Sequence, residues 1–253
     1  MHSFACSFPF VYFITLNFVS NNVFSGYKNL ITTTESGDIL KISGVFDLYM
    51  QRTEFFTKLF IEHIYLTSVA VLIITVVGLS TGILMTSNKR LASVVLTLTG
   101  FLYTIPSIAL FGFLVAVTGI GNTSAIIALS LYGVLPIIRN TYVGITEVDP
   151  EIIESATAMG STPLQLLVSI QLPLASPVII AGFRTMVIMT IALGGIASFI
   201  GAGGLGVAIW RGITTNFPEM TVAGSLLVAL FAIISDVVLG FVEKGFSIKV
   251  LGK

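Results

Sequence analysis

The stretch Glu147–Pro173, EVDPEIIESATAMGSTPLQLLVSIQLP, places four acids, a glycine and three prolines in ordered positions within an otherwise oily chain. Asp149 before Pro150 is a helix start: the carboxylate caps free amides, and proline suits the first helical position. Glu151 and Glu154 follow in the first turns, where negative charge complements the helix dipole. The helix is predicted to run to about Met159, with Gly160 as its left-handed terminator. Thr162 and Pro163 repeat the signal and start a second short helix, which is expected to reach about Ile170 and to stop at Pro173. The stretch therefore reads as two short helices joined by a glycine turn.

Outward from this segment the chain looks made for lipid. Of its 253 residues, 55% are hydrophobic and 9% are charged, and its mean hydropathy is +1.02. Soluble domains carry about 25% charged residues, so the expected class is an all-α integral membrane protein. Net charge is zero, with no basic stripe for nucleic acid. Cys6 is the only cysteine, which excludes intramolecular disulfides and cysteine-based metal sites. No cofactor or metal site is expected. No phosphate-loop motif is present, so ATP hydrolysis would have to come from another chain.

A bilayer core of about 30 Å needs ~20 apolar residues in a helix. Five stretches meet this: Ile64–Met85, Leu91–Val117 with Pro106 inside, Ser124–Tyr142 with Pro136 inside, about Pro177–Ile200, and about Thr221–Val242. Lys89, Arg90, Arg139, Lys244, Lys249 and Lys253 then fall on one side, while the opposite loops hold only Arg211. By the positive-inside rule the basic side is cytoplasmic, which puts the opening stretch and the C-terminus there too. The division expected is an extension over 1–61, a transmembrane domain over 62–243 and a cytoplasmic tail over 244–253. Within the extension, residues 4–24 are a candidate sixth helix, an uncleaved anchor or a part absent from the mature protein, with Met50 as an alternative start. Residues 52–62 suit a short interfacial helix leading into the first span. His63, at that boundary, reads as interfacial and not as a ligand. Gly78 and Gly82, four residues apart, permit close helix approach in lipid.

The polar segment has two readings on its own residues. Ser155, Ala156 and Ala158 are small, while Ile152, Ile153, Met159, Leu164, Leu167 and Val168 supply apolar contacts. The segment either rests on its own membrane domain or docks a cytoplasmic partner. Here the residues resemble a known family. "ESATAMG" followed by "IQLP" is similar to the EAA loop of binding-protein-dependent ABC importer permeases, with Glu154, Ala156, Gly160, Ile170, Leu172 and Pro173 in register and Ser155 in place of the first alanine. Further stretches, such as "YTIPSIALFGFL", "LYGVLPIIRNTYVGI" and "FIGAGGLGVAIWRGI", resemble permeases of glycine betaine, carnitine, choline and proline (osmoprotectant) importers. Methionine importer permeases are the nearest competitor.

The resemblance implies a five-helix, type I, methionine-importer-like transmembrane core with a cytoplasmic coupling-helix loop, in a bacterial cell membrane. It implies a second permease subunit, identical or paralogous, two copies of an ATPase subunit, and a separate extracytoplasmic binding protein. Glu154, Ser155, Ala156, Gly160 and Pro173 would then couple to the ATPase. Gly201, Gly203, Gly204 and Gly206 would permit a tight re-entrant turn at the external mouth. Trp210 beside them reads as a gate or binding-protein contact, or as an interfacial anchor.

Charges inside spans are functional candidates by default. Arg184 lies about 10 Å into span four, and Asp236 lies about 9 Å from the end of span five, at 1.5 Å per residue. Both depths are counted from the basic side, so an Arg184–Asp236 pair is expected, as a structural tie or as a gate. A self-sufficient secondary transporter or channel would want inverted repeats or conspicuous intramembrane acids. An intramembrane enzyme would want a nucleophile and base, or a metal set, within spans. Neither pattern is evident in these spans.

Overall fold

The computed structural model describes residues 42–251; the candidate helix over 4–24 lies outside the described residues. The helices are α1 (Ile42–Gln51), α2 (Thr53–Thr86), α3 (Lys89–Thr104), α4 (Ser107–Thr118), α5 (Asn122–Thr146), α6 (Pro150–Ala158), α7 (Pro163–Leu166), α8 (Leu172–Ile196), α9 (Gly206–Thr214) and α10 (Pro218–Leu251). No strand occurs among the described residues.

Among the described residues four runs are long and apolar enough to cross a bilayer: Thr53–Thr86, Asn122–Thr146, Pro163–Ile200 and Pro218–Ile248. A fifth run, α3 with α4, is bent by 97° at its break. Proline explains the break. Pro106 offers no N–H and drives the preceding Ile105 to an extended conformation, φ −69° and ψ 129°. The Ile105 carbonyl released there accepts a hydrogen bond from the Tyr132 hydroxyl of α5. In lipid such a carbonyl cannot turn to water, so the partner has to come from a neighbouring helix.

Register settles that this bent run crosses. A Cβ built on Gly78 would land on Ile137, one on Gly82 would fall 2.6 Å from Thr141, and one on Gly133 would fall 2.5 Å from Ile74. Positions on α2 and α5 therefore rise together, and the two helices are parallel. The chain between them has to return from one end of the bundle to the other, and α3–α4 is that return. By the same contacts α8 runs against α5, with Gly182 on Asn140 and Gly144 on Ala175, and α10 runs against α8, with Gly195 facing Val228. Lys89, Arg90, the α6–α7 segment and the end of α10 thus share one end of the bundle. The loops around residues 119–121 and 197–217 share the other.

The core lies between α2, α4, α5 and α8, where Leu66, Ile74, Phe111, Leu129, Ile137 and Met186 are buried together. A second cluster joins Phe56 and Leu59 of α2 to Leu205, Ala208 and Met220 near α9 and α10.

Three expected boundaries move. No separate interfacial helix occupies 52–62, because nothing between Thr53 and Thr86 breaks the ladder, and α2 is continuous. Pro173 does not stop the second short helix. A π turn over Leu167–Gln171 carries α7 into α8, and the Leu172 amide donates to Leu167 five residues back. The wider turn makes room for the proline ring, which would otherwise press on the carbonyl four residues earlier. The tail expected over 244–253 begins instead as helix, since α10 continues to Leu251.

Close packing of α2 on α5 generates a test. Gly82→Leu is expected to destabilise by about 1–3 kcal/mol through overpacking, because the added atoms meet Thr141 and the Ile138 carbonyl 3.1 Å away. Gly100→Ala, where a Cβ meets nothing within 4 Å, is expected to be silent. Thermal unfolding in detergent, comparing both variants with wild type, checks this.

Candidate functional site

The segment between α5 and α8 is built from local hydrogen bonds. The Asp149 carboxylate accepts from the Glu151 amide at 2.9 Å, and Pro150 occupies the first turn. After α6, Gly160 takes φ +89°, and the Ser161 amide donates back to the Ala156 carbonyl at 3.2 Å. A Cβ on Gly160 would meet nothing within 4 Å, so backbone conformation, not space, demands glycine there. A reciprocal capping box follows: the Gln165 amide donates to Thr162 Oγ1 at 3.3 Å, and the Thr162 amide donates to Gln165 Oε1 at 2.9 Å.

This makes a stiff two-helix corner that projects from its own bundle. Ala156 is buried, whereas Glu154, Ser155, Gly160 and Pro173 are exposed. Met159 is 80% exposed and Leu164 is 70% exposed. One face of α6 is thus covered by this chain at Ala156, while Met159 and Leu164 are left uncovered by it.

At the opposite end, α8 closes through a 3-10 turn, Ala197–Ile200, capped by Gly201 at φ +75°. The loop that follows is held by side chains from two different spans. The Gly203 amide donates to Asn122 Oδ1 of α5 at 3.1 Å, and the Gly204 amide donates to Glu62 Oε2 of α2 at 3.2 Å. Gly204 has φ +94° and packs on His63. Gly206 opens α9 with its Cα against the Gly195 carbonyl, where a Cβ has no room. Trp210 is half-exposed, and its ring meets Phe199 at 4.7 Å between centroids.

His63 departs from its expected place. It is fully buried in the protein, ten residues inside a continuous α2. Its Nε2 lies 3.2 Å from the Ile191 carbonyl and its ring meets Phe231 edge-on. The Glu62 and Asn122 contacts were not foreseen from sequence. No local signal marked them, since the acceptors and the glycine amides lie 81 and 142 residues apart.

Within the spans, Arg184 Nε donates to Asp236 Oδ1 at 2.6 Å, and Arg184 Nη1 donates to Glu243 Oε2 at 2.9 Å. Glu243 is the added member. It lies seven residues beyond Asp236, on the same face of a helix that outruns its expected end. Gly240, between them, leaves room for the guanidinium, whose Cζ would be 3.3 Å from a Cβ. Among the described residues no group of three or more His, Cys, Asp or Glu is arranged to hold a metal.

Comparison with known proteins agrees with this architecture. Residues 74–248 match the family model described as "binding-protein-dependent transport system inner membrane component". The chain is 40% identical over 200 residues to the glycine betaine/carnitine/choline transport system permease protein OpuCD of Bacillus subtilis, covering 79% of this chain and 87% of that one. It is 42% identical over 164 residues to the ergothioneine transport permease/ergothioneine binding protein EgtU of Helicobacter pylori, covering 65% of this chain and 30% of that one. Among solved structures, the inward-facing MetNI methionine ABC transporter superposes with TM-score 0.68 at 22% identity, covering 76% of this chain and 95% of that one, which speaks for the fold. With these matches, five crossings among the described residues and a capped corner at the basic end, the chain belongs to the family of binding-protein-dependent ABC transporter permeases.

Proposed function

We propose that this permease forms half of the pathway of an ATP-driven importer for a small osmoprotectant solute, quaternary-ammonium compounds foremost. Glycine betaine, carnitine, choline and proline are the candidate solutes. The carrying observation is the 40% identity, over most of both chains, to a permease of glycine betaine, carnitine and choline transport. A second permease subunit completes the pathway across a shared axis. Two ATPase subunits sit on the basic, cytoplasmic face, and a separate binding protein delivers solute at the opposite face. Residues 62–243 supply the transmembrane domain.

The α6–α7 corner is the coupling element. Its exposed Met159 and Leu164 need a cover, its capped ends make it rigid enough to transmit motion, and Ser155 and Gly160 allow close approach. Glu154 supplies a polar or ionic contact in the ATPase cleft. Movement of the corner with the ATPase dimer then re-aims the helices as rigid bodies. The Gly201–Gly206 loop and Trp210 form the outer mouth. No hydrolytic step falls to this chain; its work is conduction and coupling.

The Arg184–Asp236–Glu243 cluster ties α8 to α10 as a structural lock. Removing only the cation would leave two carboxylates facing each other at membrane depth, whereas neutralising all three removes the conflict.

Two outcomes check this reading. Gly160→Asp strains the left-handed turn and adds charge at the docking surface. It should reduce co-purification with the cognate ATPase on the order of 10-fold, one step of about 1.4 kcal/mol, while the permease alone still unfolds cooperatively, only slightly earlier than wild type because of the strained turn; equal recovery of the ATPase would remove the coupling role. Arg184→Met should lower the unfolding temperature in detergent, and the triple variant Arg184→Met, Asp236→Asn, Glu243→Gln should recover most of the loss. A triple variant as unstable as the single one would show that the cluster is not a lock.

A further inference from the structure

We infer that Glu62 and Asn122 are positioning residues that latch the Gly201–Leu205 loop in its closed arrangement, so that the outer mouth opens only when both bonds are given up. The inference rests on the importer reading above.

The loop's own backbone poses the problem. Gly203 and Gly204 lie between a 3-10 turn and a new helix, so their amides have no carbonyl in helical register. Outside helical register such donors turn to water or to side-chain acceptors, and here the acceptors are side chains. Each finds one on a different span: Asn122 Oδ1 on α5 at 3.1 Å and Glu62 Oε2 on α2 at 3.2 Å. A third link, from the Gly121 amide to the Ile200 carbonyl at 3.1 Å, fastens the start of α5 to the 3-10 turn.

The loop is thus strapped to the two parallel helices, not merely to its own neighbours in sequence. Packing beneath it is tight, since a Cβ on Gly204 would meet the backbone of His63 at 3.2 Å and one on Gly203 would meet Glu62 Oε2 at 2.6 Å. Displacing the loop from α2 or α5 breaks side-chain bonds without breaking any helix. That is the property of a latch. The carboxylate bond is charge-assisted and carries the larger share.

The same side chains could serve folding alone, and the readout has to separate the two. Glu62→Ala and Asn122→Ala remove the acceptors; Glu62→Gln and Asn122→Asp keep them. Each variant is assembled with its ATPase in proteoliposomes, and ATP hydrolysis is measured with and without the binding protein. A latch predicts that the alanine variants raise hydrolysis without binding protein by up to about 10-fold, the equivalent of one charge-assisted hydrogen bond. Asn122→Asp should hold it near the wild-type rate, and Glu62→Gln, which keeps the acceptor without the charge, should fall between wild type and Glu62→Ala. Unchanged basal hydrolysis in both alanine variants, with the complex intact, would overturn the latch. If the wild-type chain recruits no ATPase at all, the importer reading itself fails, and that outcome is distinct.

Discussion

In hydrocarbon no water is available to a stray peptide group, and this constraint shapes the irregular parts within the spans, while those at the bundle ends are tied by side chains as well. The helices satisfy themselves. The departures each recruit a neighbour: Ile105, released by Pro106, takes the Tyr132 hydroxyl, and Gly203 and Gly204 take Asn122 and Glu62. Pro173 is accommodated by shifting to a five-residue hydrogen bond, so that a proline expected to end a helix sits inside one. At Ile105 and at Gly203 and Gly204, two spans are joined by a bond that is able to break without melting either helix.

Close approach does the remaining work. With lipid on the outside as apolar as the side chains within, helices gain little by hiding leucine, and shape decides association. Gly78 and Gly82 bring α2 onto α5, Gly182 admits Asn140, and Gly240 admits Arg184. The parallel pairing of α2 and α5 obliges α3–α4 to recross. That recrossing puts the capped corner and the end of α10 at one end and the glycine loop at the other. Function follows from this separation: a rigid, exposed corner at the basic end, and a loop held by side-chain bonds at the far end.

Much of this was legible in the residues. The cap-and-proline signals of Asp149–Pro150 and Thr162–Pro163 gave the two short helices, because capping is local chemistry. The approach of Arg184 to Asp236 followed from depth counting, since lone charges in lipid seek partners. What was not legible depended on context across the fold. Glu243 joins only because α10 runs past Val242. His63 is buried because Gly194, Gly204 and Phe231, all distant in sequence, close over it. Glu62 and Asn122 acquire their roles from a loop about 80 to 140 residues away. A 97° bend at Pro106 was also beyond reach, since proline in a span announces a break but not its angle.

The most direct test of the central claim is solute accumulation in proteoliposomes holding this chain, its ATPase and its binding protein, with labelled choline and glycine betaine offered in turn. The account predicts accumulation that requires ATP and the binding protein together and that persists when ion gradients are collapsed. Accumulation by this chain alone, driven by a sodium or proton gradient, would contradict it and make the protein a secondary transporter.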